Sequence, residues 1–424
     1  VNDLKGLNIP TSVKKLNILV ISQSLVAKTY RSFYCKLADL PSVEITLVSP
    51  KRFRELGFQL IESPDFDPPF NQPNGCHRAF RLSVFSPHVQ IVVFWGLTKI
   101  ITAWLKNSRR RETRPIVMCL AEPYSITGLC AFLSVCIASL LTGAKPLFLL
   151  HALQNIFKQF PAPLRLIQAF QFRVNPFMLA TGVEQKDVLR KQGYNGTIID
   201  FPLWFDSMSY EAVRSVTKLQ ARQNLMSSAK FSAEFDPKFI VGYAGSFLQE
   251  KGIDSLLKAF KSFSQQIKRP TALWLCGRGP EEERLTNEFA KLQGEGFDIR
   301  YFGALPSAQM PTFYRSLDVL AVPSLTATHW KEQFGRIIIE ARAAGTPVIG
   351  SNSGEIPHVI GSRELIFKEG DSESLTQVLQ LVESSIAKSD RFISSVCSTN
   401  EQFADFRLAK SLADQLWSLT QNPR

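Results

Sequence analysis

Three glycine-containing segments of this 424-residue chain have the residue types to hold a phosphorylated ligand. GSFLQEKG (residues 245–252) follows an apolar run and precedes IDSLLKAF. Its glycines let the backbone approach a phosphate, and Lys251 adds a mobile point charge where a helix would start. LCGRGPEEERL (275–285) repeats the arrangement through Gly277, Gly279 and Pro280, with three glutamates suited to the positive end of a helix dipole. In PSLTATHWKEQFGRIIIEARAAGTPVIGS (323–351), seven residues separate Glu332 from Glu340, and Phe334 and Gly335 mark a helix start that Gly345 and Pro347 close. That spacing is a little over two helical turns, so one glutamate at the helix entrance and one inside can touch different parts of an extended ligand. Each segment also has a purely structural reading, because strand, glycine turn and helix is how parallel α/β folds turn a corner.

These segments need strands that end beneath them. LNILVIS (16–22), a helical stretch to about residue 40, and VEITLVSP (43–50) read as a β-α-β opening. QIVVFW with the helix after Gly96, PIVMCLAE with an apolar helix, KPLFLLH with a helix around 164–173, PFMLAT and TIIDFPLW continue the alternation. The rhythm restarts as FIVGYAGS, TALWLCGRG, DIRYFGAL, DVLAVPS, TPVIGS and ELIF. The pattern predicts an α/β protein of two Rossmann-like doubly wound domains facing a central cleft, residues 1–205 and 206–399. A last helical stretch, 400–424, is expected to return to the first domain. Ligands of parallel sheets sit at the carboxyl ends of the strands, which places the motif loops of the second domain at the cleft.

Hydrophobic residues at 45% and charged residues at 20% describe a folded globular body. A formal net charge of +12 calls for an acidic partner or surface. Basic clusters at Lys51, Arg52 and Arg54 and at Lys106, Arg109, Arg110, Arg111 and Arg114 lack the interleaved aromatics of a nucleic-acid site. An anionic membrane surface is the preferred partner, and a solvated basic face is the plain alternative. GLCAFLSVCIASLL (128–141) is shorter than the ~20 apolar residues that span a bilayer and reads as a buried helix. The start, VNDLKGLNIPTSVKK, lacks the apolar core of an export signal. Seven cysteines without metal-ligand spacing suit reduced thiols in a cytoplasmic protein, and the D-x-D of Asp65 and Asp67 reads as part of a proline-rich loop, so no metal site is expected.

Taken in order, GSFLQEKG, CGRGPEEERL, FGAL and the E-x7-E segment ending EARAAGTPVIGS resemble glycosyltransferase family 4, of GT-B fold, over about residues 238–371. The first half is similar more faintly, through ILVISQSLVAKTYRSFYCKLADL, AEPYSITG and HALQNIFKQFPAP. The resemblance implies retaining transfer of a sugar from a nucleotide diphosphate donor to a glycan, lipid-linked or small-molecule acceptor, without a metal or other cofactor. It also implies polysaccharide or glycolipid synthesis in the cytoplasm or at the inner face of the membrane. By position, Lys251 resembles the diphosphate-binding lysine and Glu340 the carboxylate that accepts from the ribose hydroxyls. Glu332, with the backbone at Phe334 and Gly335, resembles the part that holds the transferred sugar, and His151 the cleft histidine beside sugar and acceptor. Gly245, Ser246, Gly277 and Gly303 fall in the donor loops.

The chain departs from the family's pattern in three places. Ser246 stands where many relatives have an arginine for the diphosphate, SQSLVAKTYR lacks the paired glycines of the first strand turn, leaving Ser22, Lys28 and Arg31 to shape the acceptor side, and His358 stands where a glutamate is frequent. Two other readings fit the same residues: a sugar-nucleotide epimerase on the same fold, and a non-catalytic sugar-nucleotide-binding subunit.

Overall fold

The computed structural model describes residues 15–26, 28–54, 60–62, 70, 77–88, 91–109, 115–229, 239–388 and 399–421. The N-terminal stretch to residue 14, Asp65, Asp67, Cys76, Cys397, and Arg110, Arg111 and Arg114 of the second basic cluster lie outside the described residues. The chain forms two compact units, one of residues 1–181, 185–201 and 405–424, the other of residues 182–184 and 202–404.

The first unit opens with β1 (Leu16–Ile21), α1 (Lys28–Ala38) and β2 (Val43–Pro50). Next come β3 (Arg52–Arg54), β4 (Leu60–Glu62), β5 (Arg78–Leu82), β6 (Val84–His88), β7 (Ile91–Phe94) and α2 (Leu97–Arg109). β8 (Pro115–Cys119), α3 (Ile126–Thr142), β9 (Leu147–Ala152), α4 (Ala162–Val174), β10 (Phe177–Ala180), α5 (Val183–Lys191) and β11 (Thr197–Asp200) complete the alternation. β1, β2, β8 and β9 are buried at every position, as the near-continuous apolar runs of a sheet covered on both faces must be. The sheet order is β11-β10-β9-β8-β1-β2-β5, all parallel, and it reverses direction between β1 and β8.

QIVVFW does not join this sheet, because Ile91–Phe94 pairs antiparallel with β6. The place beside β2 belongs to β5, an edge strand whose exposed Arg78 and Arg81 interrupt the apolar signature of a covered strand. The apolar α3 is also not a buried helix. Ala131, Val135, Ala138 and Thr142 face the core, but Leu133, Ile137, Leu140 and Leu141 are exposed. Among the described residues no helix is long and apolar enough to cross a membrane.

The second unit starts with two helices, α6 (Ser207–Arg214) and α7 (Lys218–Ser228). They lead to β12 (Phe239–Ala244), α8 (Ile253–Gln266), β13 (Thr271–Cys276), α9 (Glu282–Gly294), β14 (Asp298–Tyr301), α10 (Met310–Ser316) and β15 (Val319–Val322). After these come α11 (Arg336–Ala343), β16 (Val348–Ser351), α12 (Ile356–Ile360), β17 (Ile366–Phe367) and α13 (Ser372–Ala387). The sheet order β14-β13-β12-β15-β16-β17 is fully parallel and is the dinucleotide-fold order, with its reversal between β12 and β15. The main span of the unit runs from residue 202 to 404, beside residues 182–184. The reason is local: Phe205 N donates to Phe403 O at 3.2 Å and Phe205 bridges Ala404, so both ends of the unit lie side by side. α14 (Asp405–Gln421) is part of the first unit, packing on α1 and β1 through a stripe of Ala409, Leu412, Ala413 and Leu416.

Candidate active site

In an open parallel sheet the crevice forms where strand order reverses, outside the carboxyl ends of the two central strands. In the second unit those strands are β12 and β15, and a pocket of about 210 Å³ opens there. Gly245 and Ser246 line it from β12, Ser324 from β15, and Lys251, Glu332, Gly335 and Arg336 from the segments that follow. The structure thus brings together five of the residues singled out by sequence, and adds Ser324 and Arg336.

The Gly245–Ser246 turn is held from below. Gly245 N donates to Cys276 O at 3.0 Å, and the buried Tyr243 hydroxyl donates to Ser246 O at 2.9 Å. A single 3-10 turn, Gln249–Lys251, then carries Lys251 to the start of α8. Leu325 N donates to Glu250 O at 2.7 Å, tying this turn to the loop after β15. Lys251 Nζ meets Glu332 Oε2 at 2.7 Å and sits 4.5 Å from the centre of the Trp330 ring, in cation–π range. Ser324 Oγ donates to the same Glu332 oxygen at 3.1 Å. Glu332 is positioned through its backbone as well, since Glu355 N donates to Glu332 O at 3.1 Å. Gly354 makes that approach feasible, because a Cβ there would lie 2.1 Å from Glu332 O.

Glu340 sits one and a bit turns into α11, outside the lining of the pocket but joined to it through Arg336. Its Oε2 accepts from the Tyr314 hydroxyl at 3.0 Å, and its Oε1 forms an ion pair with Arg336 Nε at 3.1 Å. Burial raises its carboxyl above the usual range, while the Arg336 charge and the Tyr314 hydroxyl pull the other way. Arg336 was not among the residues that sequence reasoning selected. Its signal was its place: the first residue of α11, directly after the left-handed Gly335, four residues before Glu340.

Gly277, Gly303 and Phe334 stand outside the lining of this pocket. Gly277 N donates to Gly303 O at 2.8 Å, and a Cβ on Gly277 would fall 1.8 Å from Gly245 O. These two glycines therefore pack the loop after β13 against the Gly245 turn. The Phe334 side chain is buried and stacks edge-on against Phe403 at 5.7 Å, leaving its backbone as the part near the α11 start.

His151 belongs to the first unit, at the end of β9. It is 4% exposed, its Nε2 lies 2.8 Å from Thr181 Oγ1, and Phe201 meets its ring edge-on at 5.2 Å. Burial lowers its pKa to about 3, so the imidazole is neutral at any physiological pH. Near the reversal of the first sheet, after β8, Glu122 is buried and accepts from Leu153 N at 2.9 Å, just past His151. Burial lifts its carboxyl to about 7 against the opposing pull of the Leu153 and Gln154 amides. Arg31 is also buried, its guanidinium donating to Leu25 O and Val26 O at 2.9 Å, which gives it a structural task in the turn after β1. Side-chain placement of Lys28 lies outside the described residues.

Residues 227–396 match the model of the glycosyl transferases group 1. Among curated proteins, the O-antigen chain mannosyltransferase B of Escherichia coli is 30% identical over 135 residues, 32% of this chain and 34% of that protein. The D-inositol 3-phosphate glycosyltransferase of Corynebacterium jeikeium (strain K411) is 29% identical over 142 residues, 32% of each. The match thus spans about a third of these relatives' length. The fold is shared along most of the chain. A glycosyltransferase from Rickettsia africae superposes with a TM-score of 0.68 at 15% identity, covering 96% of this chain and 99% of that one. HepE of Anabaena, solved in complex with UDP and glucose, does so with a TM-score of 0.58 at 16% identity, covering 95% and 100%. The two parallel-sheet units are those of a GT-B protein.

Proposed function

We propose, from the premise that residues 227–396 carry a glycosyl transferases group 1 domain, that this chain is a retaining glycosyltransferase using a nucleoside diphosphate sugar. The observation that carries the reading is the meeting of a glycine turn, Lys251, Arg336 and Glu332 in one pocket at the switch point of the second sheet. Departure of a nucleoside diphosphate builds negative charge on phosphate oxygens, and preorganised cations and backbone dipoles stabilise it without a metal. Lys251, Arg336 and the start of α11 at Phe334 and Gly335 supply them, with Arg336 filling the need left by Ser246. Glu340 accepts from the ribose hydroxyls and Glu332 from hydroxyls of the transferred sugar. A UDP-sugar is the donor to try first, since HepE shares the fold and binds UDP and glucose.

Retention then follows from attack on the face the diphosphate leaves, through an oxocarbenium-like state. The bond from the acceptor oxygen to the anomeric carbon forms as the carbon–phosphate oxygen bond breaks. A histidine with a pKa of about 3 is a poor proton store, so His151 orients hydroxyls as a neutral hydrogen-bonding group and the acceptor proton passes to the departing phosphate oxygen. The acceptor is a glycan, a lipid-linked sugar or a small polyol, in synthesis of a surface polysaccharide or glycolipid. Its net charge of +12 supports peripheral attachment to the inner face of a membrane.

The test is incubation of the full chain with a panel of nucleotide sugars, with and without acceptors, reading diphosphate release and product anomer. Acceptor-dependent release with retained configuration supports the proposal. A changed free sugar formed without acceptor identifies an epimerase, and tight donor binding with no release identifies a non-catalytic subunit.

A further inference from the structure

On the first unit, α3 and α4 present an apolar face bordered by exposed basic side chains, and we propose that this face seats the protein on an anionic lipid bilayer. The inference deepens the membrane attachment suggested above by giving it a surface, and it is independent of the sugar chemistry.

The exposed positions of α3 follow one helical stripe. Leu133, Ile137, Leu140 and Leu141, at i, i+4, i+7 and i+8, are 47%, 49%, 86% and 65% exposed. On α4, Leu166 and Phe170 are 71% and 41% exposed, again one turn apart. Phe170 meets Phe132 of α3 edge-on at 5.6 Å, so the two helices adjoin and their outer residues form one surface. Isolated exposed leucines are ordinary, whereas six large apolar side chains on adjoining helices mark an interaction site.

Charge decides the occupant. Between Glu122 and Glu184 the sequence contains no aspartate or glutamate. Lys145 just beyond α3, and Arg165 and Arg173 on α4, are exposed, and Arg173 continues the line of Leu166 and Phe170 at i+7. A second copy of the chain docked on this face through a two-fold axis would bring these cations together with no carboxylate between them. Anionic headgroups pair with them while the leucines enter the acyl boundary, the arrangement of a helix lying in the interface. α3, at 17 residues, lies on the bilayer and does not cross it.

Co-sedimentation of the full chain with vesicles tests this, using phosphatidylcholine alone and phosphatidylcholine mixed in equal parts with phosphatidylglycerol. Binding to the mixed vesicles and little to the neutral ones is expected. Leu140→Ser combined with Leu141→Ser should lower the partition coefficient at least ~10-fold, while Leu140→Met with Leu141→Met keeps it. Arg165→Gln and Arg173→Gln should each cost about fivefold at low salt, and less as salt is added. Both leucines are exposed, so an unchanged melting temperature separates lost binding from lost fold. Diphosphate release with a water-soluble acceptor should be unaltered in these variants, so lipid binding and sugar transfer fail independently. Wild-type partitioning by the serine variant, equal binding to neutral and anionic vesicles, or a lipid-free dimer that the serine variant dissolves, each overturns the proposal.

Discussion

A diphosphate bound at Lys251 must compete with Glu332 for the same ammonium, because Nζ already lies 2.7 Å from the glutamate oxygen. The two side chains are 20% and 14% exposed, so the pair is worth more than a surface bridge. Hydrogen bonds to charged groups contribute ~1.5–3 kcal/mol, and partial exposure brings this one to about 1–2. Glu332→Gln keeps a neutral acceptor and removes the charge, weakening the pair by about 1 kcal/mol. UDP affinity should therefore rise about fivefold in Glu332→Gln, although a residue of the site has been altered. Affinity for a UDP-sugar should rise less or fall, since the sugar hydroxyls lose their charged acceptor. Lys251→Ala should lower UDP affinity by about tenfold, the lost phosphate contact outweighing the competition removed. Titration calorimetry on both single variants and the double variant gives the coupling. If the glutamine substitution changes UDP affinity by the same factor with and without Lys251, within the ~0.3–0.5 kcal/mol of ordinary additivity, the competition does not exist.

Glu340→Ala should weaken donor binding by ~1.5–3 kcal/mol, because the ribose would lose a charged acceptor; unchanged calorimetric affinity in the folded variant would remove Glu340 from the site. His151→Ala should reduce kcat more than donor affinity, and collapse of affinity with turnover intact at saturation would show that the histidine serves binding. Ser246→Arg should tighten UDP binding at low salt by less than tenfold, given the ordering entropy of a long side chain and the presence of Arg336 in the pocket; Arg336→Ala should enlarge that gain. Glu122, at about 7 when folded, binds its proton more tightly than the unfolded chain does. The stability it confers is complete below its unfolded pKa and is lost as pH rises through about 7, a change of roughly 3 kcal/mol. Glu122→Gln should therefore melt higher than wild type at pH 8 and lose that advantage toward pH 5, and parallel melting curves at both pH values would count against it.

The second sheet was legible because its central strands are apolar runs ended by glycine turns, a signal that burial on both faces enforces. Edge strand β5 was not, since an edge needs only partial cover and tolerates Arg78 and Arg81. The outward face of α3 was hidden for the opposite reason. Its leucines satisfy the same composition test as core residues, and only the positions of neighbouring elements distinguish a covered stripe from an exposed one.

At the site, sequence exposed residues that occupy a motif and concealed those that act through the fold. Gly354 reads as one more loop glycine until its Cβ is seen to collide with the carbonyl of Glu332, nearly a whole motif earlier in the chain. Arg336 reads as a helix-surface residue until the left-handed Gly335 turns it toward Ser246 and Lys251. The same geometry accounts for the serine at 246. The turn it occupies is held by Tyr243 on its carbonyl and by Cys276 on the neighbouring amide, neither of which depends on the side chain at that position. An arginine there is thus dispensable to the loop's shape, and its charge is replaceable from α11. On the proposed reading, this replacement would couple the diphosphate and ribose contacts, which an arginine on the Gly245 turn would keep separate. Arg336 reaches the pocket while paired to Glu340, so any movement of the guanidinium toward a bound anion would loosen its hold on the Glu340 carboxylate.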